Sequence, residues 1–297
     1  MTAPRQVIAG TTYLVTRRIA HRQFLLKPSK LTDNTLGYIL SVAAQRHGIL
    51  VHTVVVLSNH LHLVLTDPSA QLPAFCQYLD SFVARAMNAA LGRWEAFWAP
   101  GSFSAVALTG PEDVVEKTAY ALANPVAAGL VARGSEWPGL WSPPEAFGNS
   151  WRTFERPGHF FSEKGNMPER STLELSVPPG FRAEDFRALV SARLSEKEQA
   201  AARALKAEGR RFLGVRKVLA QKHTDFPGSR EPRRTLNPRV AARDKWRRIE
   251  ALARLKSFLH AYREALAKLR AGVKDAIFPH GTYQLRVFLG VPCAGAG

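Results

Sequence analysis

Apolar and polar positions follow two rhythms along the chain, and the order in which they alternate outlines a fold. Residues 11–16, 51–57, 60–66 and 102–108 are short runs rich in β-branched and aromatic residues, with the length and composition of strands. Residues 33–47, 70–91 and 111–123 instead space their apolar side chains three and four apart, which lines one face of a helix. The boundaries carry their own chemistry. Ser58-Asn59 is a turn between the second and third strands, Thr109-Gly110-Pro111 opens the last of these helices, and Asn124-Pro125 closes it. The predicted order is β-α-β-β-α-β followed by one further helix.

That order matches a split βαβ, ferredoxin-like α+β fold: an antiparallel sheet with helices packed on one face and the other face left free for a ligand. The texture changes near residue 142. Residues 143–180 are punctuated by Pro143-Pro144, Pro157-Gly158 and Pro178-Pro179-Gly180, which predicts a linker or surface wrap. Beyond it, residues 183–208 and 241–274 read as helices, with a Pro- and Arg-rich loop over 224–238 between them. The expected organisation is a domain over 1–142, the linker or wrap over 143–180, and a basic, mostly helical extension over 181–297.

Charge sharpens the picture of that extension. The chain carries 41 Lys and Arg against 24 Asp and Glu, a formal net charge of +17, and residues 203–274 alone account for +15 of it. Clustered cations release the counterions condensed on nucleic-acid phosphates, so the expected partner is a polyanion. Arg243, Lys245, Arg247 and Arg248 are the densest group and the candidates for backbone contact. Trp246, Phe258 and Tyr262 lie among these cations, and their helical spacing assigns them first to packing and second to base stacking. The two cysteines, Cys76 and Cys293, have no partners at metal-ligand spacing, so neither a thiolate zinc site nor a disulfide framework is implied. No apolar run is long enough to span a bilayer, and Met1-Thr2-Ala3-Pro4-Arg5 lacks a signal-peptide core, so the expected location is the cytoplasm, in association with the nucleoid.

The candidate chemistry sits in the first half. In His60-Leu61-His62 the two-residue period of a strand points both imidazoles to one face, a bidentate site for a divalent metal. Tyr120 and Asn124 are four apart and share a helix face, one turn from each other. A phenol, a neutral oxygen donor and two imidazoles form a complete set for attack of a tyrosine hydroxyl on a DNA phosphodiester. A cation held by His60, His62 and Asn124 neutralises the phosphate, and Tyr120 is the nucleophile. Arg17, Arg18 and Arg22 follow the first strand, placed to grip the DNA backbone.

The blocks Ser-Asn-His-Leu-His-Leu-Val-Leu (58–65) and Tyr-Ala-Leu-Ala-Asn-Pro-Val-Ala-Ala-Gly-Leu-Val (120–131) resemble the two signatures of the single-tyrosine HUH transposases, in particular the REP-associated tyrosine transposases. The resemblance runs in order over about residues 8–142, and it takes in the strand Tyr13-Leu14-Val15-Thr16-Arg17-Arg18 and the segment 94–103. It implies that the paired histidines bind Mg²⁺ or Mn²⁺ and that the tyrosine forms a 5′-phosphotyrosyl bond and frees a 3′-hydroxyl. The implied substrate is a hairpin in single-stranded DNA. By motif position these roles fall on His60, His62 and Tyr120. Several insertion-sequence members carry a glutamine on the tyrosine helix as third ligand; Asn124 departs from that and matches the REP-associated branch. Residues 239–248 and 278–286 look like the C-terminal extension of a transposase-like subgroup, read here as a DNA-holding appendage.

Two other readings share these residues. One is a domesticated regulator that binds structured single-stranded DNA without cutting it, for which His60, His62, Tyr120 and Asn124 are superfluous. The other is an HUH replication initiator or relaxase, which usually places its tyrosine differently and often pairs it with a second. The pattern leaves both a monomer and a helix-exchanging homodimer open.

Overall fold

The computed structural model describes residues 4–101, 103–229 and 238–295. Along the chain come β1 (Thr11–Arg18), α1 (Lys30–His47), β2 (Leu50–Leu57), β3 (His60–Asp67), α2 (Leu72–Leu91), β4 (Ser104–Leu108), α3 (Pro111–Leu122) and α4 (Asn124–Ala127). Then follow β5 (Asn149–Glu155), β6 (Arg170–Leu175), α5 (Ala183–Ala207), α6 (Val215–Ala220), β7 (Val240–Ala241), α7 (Lys245–Arg270) and α8 (Gln284–Leu289). The fold is mixed α+β, and Ser102, at the start of the expected fourth strand, lies outside the described residues.

The main sheet has the strand order β2-β3-β1-β4-β7. Pairings among the first four strands are antiparallel, but β7 joins β4 in parallel, with Ala107 opposite Val240 and Leu108 opposite Ala241. The sheet is therefore mixed, and the expectation of a purely antiparallel one is corrected. The reason is the edge of β4, whose free backbone groups need partners. Ala107 N–H donates to Arg239 O at 2.9 Å and Thr109 N–H to Ala241 O at 3.3 Å. The opposite edge, β2, is covered by a loop: Val56 N–H donates to Leu140 O and Ser142 N–H to Val54 O, at 2.8 and 2.9 Å.

Both faces of the sheet are covered as well. Arg17 of β1 pairs with Asp80 of α2 on one face, where α1 packs against α2. On the opposite face α3 lies across β2 and β3, so that face is not left wholly free, as the pattern had suggested. Seven of eight residues in β2, and seven of eight in β3, are consequently buried. Local signals start the helices: Ser29 Oγ accepts from Thr32 N–H at 3.0 Å at the start of α1, and the buried Asp67 at the end of β3 accepts from the N–H groups of Gln71 and Leu72 to start α2.

Residues 143–180, expected as a linker or wrap, contain the hairpin β5–β6, docked on α1. The fit needs Gly37, where a Cβ would stand 2.3 Å from the Phe154 ring. Phe154, Leu173 and Leu175 join the main core, and so do Phe186, Val190 and Leu194 of α5. The helix expected over 241–274 begins at Lys245, because Asp244 caps it by accepting from Arg247 N–H at 2.7 Å. Within the loop expected over 224–238, residues 230–237 lie outside the described residues. The C-terminal segment returns to the N-terminal one, with Val7 N–H donating to Gly281 O at 2.9 Å. Among the described residues no helix is long and apolar enough to cross a membrane.

One buried polar chain ties the hairpin to the sheet. His52 is the extra residue at a bulge in β2 and is fully buried. Its Nδ1–H donates to Ser176 O at 2.8 Å, which leaves Nε2 to accept from Thr66 Oγ1 at 2.8 Å. Thr12 Oγ1 lies 2.7 Å from Thr66 Oγ1 and continues the chain. Burial pulls His52 down to about 4, against its hydrogen bond to Ser176. Unfolded His52 takes up a proton near pH 6.5, whereas the folded ring resists until about pH 4. Its contribution is thus complete above pH 6.5 and is lost as pH falls toward 4, at up to about 1.4 kcal/mol per pH unit. Urea unfolding of wild type and His52→Gln between pH 7.5 and 4.5 should give stabilities that converge as pH falls. Parallel curves would contradict this assignment.

Candidate active site

The site is built where α3 crosses β3. Alternation along β3 sends His60 and His62 to the α3 face, while Leu61 and Leu63 are buried on the opposite one. Cross-strand register sets Thr16 opposite His62 and Arg18 opposite His60. Tyr120 lies in the last turns of α3. Asn124 does not simply end that helix: the backbone turns at Ala123 and resumes as α4, with Pro125 in its first turn, where the missing N–H costs nothing.

The side chains converge. Asn124 Nδ2 lies 3.1 Å from His62 Nε2, and Asn124 Oδ1 lies 3.4 Å from His60 Nε2, so one amide spans both imidazoles. The two rings stand 4.9 Å apart at 89°, and the Tyr120 ring is 5.8 Å from that of His62 at 77°. Tyr120 is 40% exposed, accessible to a macromolecular substrate, whereas His62 is 4% exposed.

The far nitrogens of both rings are held in place. Asn59 Nδ2 donates to Arg22 O at 3.4 Å, which turns Asn59 Oδ1 toward His60 Nδ1 at 2.6 Å. His62 Nδ1 lies 2.9 Å from Thr16 Oγ1. In the tautomer in which each Nδ1–H donates outward, each ring presents its Nε2 lone pair to Asn124. Burial, with His60 and then Arg18 nearby, holds His62 well below the ordinary histidine range, so it is neutral at pH 7.

This donor set fits a divalent cation. The two Nε2 atoms and Asn124 Oδ1 are the neutral donors that would hold such a cation. Among the described residues no three His, Cys, Asp or Glu come together as a metal site, and the donor beside the two imidazoles is the Asn124 amide oxygen.

The predicted cationic contacts separate into groups. Arg18 is exposed beside His60 on the site face. Arg17 turns the other way: it pairs with Asp80 at 2.9 Å, donates to Gly101 O at 2.9 Å, and its side chain is 13% exposed. Burial pushes Asp80 up to about 6 in spite of Arg17. Arg22 donates to Ser229 O at 2.5 Å. Arg243 and Arg247 lie along the start of α3, with Arg243 N–H donating to Asp113 at 2.7 Å and Arg247 3.4 Å from Glu112, while Lys245 and Arg248 are exposed on α7. The sequence reading missed Thr16, Asn59 and Lys117. Lys117 Nζ is 5.4 Å from the Tyr120 ring, and its position three residues before Tyr120 was the available signal.

A second cluster fixes α3 from behind. Glu116, one turn before Tyr120, accepts from Arg193 Nε at 2.6 Å and from Lys197, both on α5, and Arg243 lies 3.6 Å away. Burial pushes the Glu116 carboxyl up, but the hydrogen bonds from Lys197 and Arg193 outweigh it and hold the group below the usual glutamate range.

No protein-family model and no curated protein matches the chain. Solved structures do. One is a REP-associated tyrosine transposase bound to a REP hairpin, 22% identical, with a TM-score of 0.40 over 47% of this chain and 81% of that one. Another is a candidate transposase from Deinococcus radiodurans R1, 21% identical, with a TM-score of 0.29 over 36% of this chain and 85% of that one.

The Glu116 cluster yields a prediction about local order. Glu116→Ala should lower stability by about 1–3 kcal/mol and speed amide hydrogen exchange in α3 far more than in β3. Unchanged exchange in α3 would show that apolar packing alone positions the helix.

Proposed function

We propose that this chain is a metal-dependent, transposase-like enzyme that cuts and rejoins single-stranded DNA through a tyrosine nucleophile. The observation that carries the reading is the meeting of His60, His62, Asn124 and the exposed Tyr120 at one place on the sheet face. Mg²⁺ or Mn²⁺, held by His60, His62 and Asn124, supplies Lewis-acid stabilisation of charge on a non-bridging phosphate oxygen. The remaining steps belong to the side chains. Tyr120 oxygen bonds to phosphorus and gives its proton to solvent; the bond from phosphorus to the 3′-oxygen breaks, and that oxygen leaves as a 3′-hydroxyl on taking up a proton from water. A 5′-phosphotyrosyl bond remains, and attack by another 3′-hydroxyl reverses the step and joins strands. Thr16 and Asn59 keep the imidazole lone pairs aimed inward, and Arg18 lies where a phosphate oxygen approaches.

The sheet order β2-β3-β1-β4 is read as the ferredoxin-like core of an HUH domain over 1–142, with the proposed substrate a hairpin-containing strand. The basic extension holds the flanking DNA through Lys245, Arg248 and their neighbours. A protein that only binds DNA has no need of inward-facing imidazole lone pairs beside an exposed phenol.

Two outcomes are expected. With single-stranded DNA from the gene's own flanks and Mg²⁺ or Mn²⁺, wild type should form a covalent protein–DNA band. Tyr120→Phe, His60→Ala and His62→Ala should lose it while still binding DNA, and Thr16→Val should weaken Mn²⁺ binding roughly 10- to 100-fold. A wild-type band from Tyr120→Phe removes the tyrosine mechanism. In the extension, the double change Lys245→Gln, Arg248→Gln should make the slope of log affinity against log salt shallower by about 1.4, the value for two phosphates on a single strand. An unchanged slope places these cations away from DNA.

A further inference from the structure

A cleft of about 660 Å³ lies away from the histidines, at the β4–β7 edge. It is bounded by the N-terminal segment, the start of β1, the Thr109–Pro111 turn, and α7, which forms one wall. That volume is in the range of small-molecule sites. Tyr13, Phe181 and Phe258 contribute apolar walls, and three arginines, Arg5, Arg239 and Arg254, line the space. Among the described lining residues there is no Asp or Glu. Arg254 has an ion pair with Glu250 at 3.9 Å, but both side chains are about two-thirds exposed, 66% and 68%, so it is weak.

Arg5 is the informative member. Its head group lies 4.2 Å over the Phe103 ring and donates to Phe103 O at 2.9 Å, while its Nε is buried without a hydrogen-bond partner. Burial, and then the charge of Arg239, pull its pKa from 12.5 down to about 10. Arg5 and Arg239 are both partly buried on the cleft wall, and an anion bound beside them offsets the repulsion between their like charges. The ligand called for has a negative group for the arginines and a flat, largely apolar body for the aromatic walls.

We propose that this cleft binds a nucleotide, phosphate toward Arg5, Arg239 and Arg254 and base between the apolar walls. The nucleotide is either free or one unit of a DNA strand. The site is distinct from the Tyr120 face and does not depend on the nucleophile assignment.

The test is calorimetric titration of the full chain at low salt with dAMP, deoxyadenosine, inorganic phosphate and a single-stranded octanucleotide. Binding of dAMP should exceed that of deoxyadenosine and of phosphate at least about tenfold, since each lacks one half of the ligand. Arg254→Glu, which reverses an exposed charge, and Ser257→Trp, which fills the cleft from an exposed position on α7, should each weaken dAMP at least about tenfold with unchanged melting. Displacement of dAMP by the octanucleotide identifies a strand unit, and its absence a free nucleotide. Tyr120→Phe should bind dAMP as wild type does, so loss of the covalent band with dAMP binding intact separates failure of the nucleophile from failure of the cleft. No dAMP binding, or dAMP binding indifferent to both cleft variants, overturns the proposal.

Discussion

The docking of α3 onto the sheet face that carries His60 and His62 is the constraint on which the site depends. Two imidazoles on a strand are only a pair of bases until a third donor and a phenol are brought over them, and both come from the α3–α4 turn. That turn is held by several independent means. Ala119, Ala121 and Leu122 are fully buried, and Trp141 Nε1–H donates to Leu122 O at 2.9 Å. Arg193 and Lys197 of α5 hold Glu116 from the other side, and Arg243 N–H holds Asp113 near the helix start. Much of the chain after residue 130 therefore helps to place a helix that precedes it.

The electrostatics of this arrangement suit the proposed anionic substrate and cation at adjacent positions. His62 is buried and neutral, so its lone pair is available near pH 7, and Asn124 adds a donor without charge. Arg18 on the neighbouring strand and Lys117 on α3 flank the pair with positive charge. A site lined by carboxylates would attract a metal more strongly but would repel a phosphodiester. In the proposed reaction, a neutral donor set between flanking cations would leave the charge of a bound metal for the phosphate.

The early part of the fold was legible because its signals are local and periodic. Period two in residues 60–66 predicted both the strand and the shared face of His60 and His62, and the four-residue interval from Tyr120 to Asn124 predicted their proximity. What escaped was decided by distant partners. Val240-Ala241 is too short to announce a strand, and it becomes one only because β4 has an open edge. The strand β5 is mostly exposed and polar, so no apolar alternation marked it, and its docking depends on the absence of a side chain at Gly37. Arg17 and Arg18 are adjacent in sequence, yet the pleat sends one to Asp80 and leaves the other at the site. Thr16 acquires its place beside His62 through strand register, which a single segment does not reveal.

In the proposed mechanism Tyr120, placed by α3 over the histidine pair, becomes covalently joined to DNA. Peptide mapping by mass spectrometry of protein trapped with a single-stranded substrate and Mn²⁺ tests it most directly. The expected product is a nucleotide joined through a 5′-phosphate to the peptide that contains Tyr120, and none when the cation is chelated. An adduct on Tyr13, Tyr38, Tyr78, Tyr262 or Tyr283, or cleavage at full rate with no adduct on any tyrosine, would contradict it.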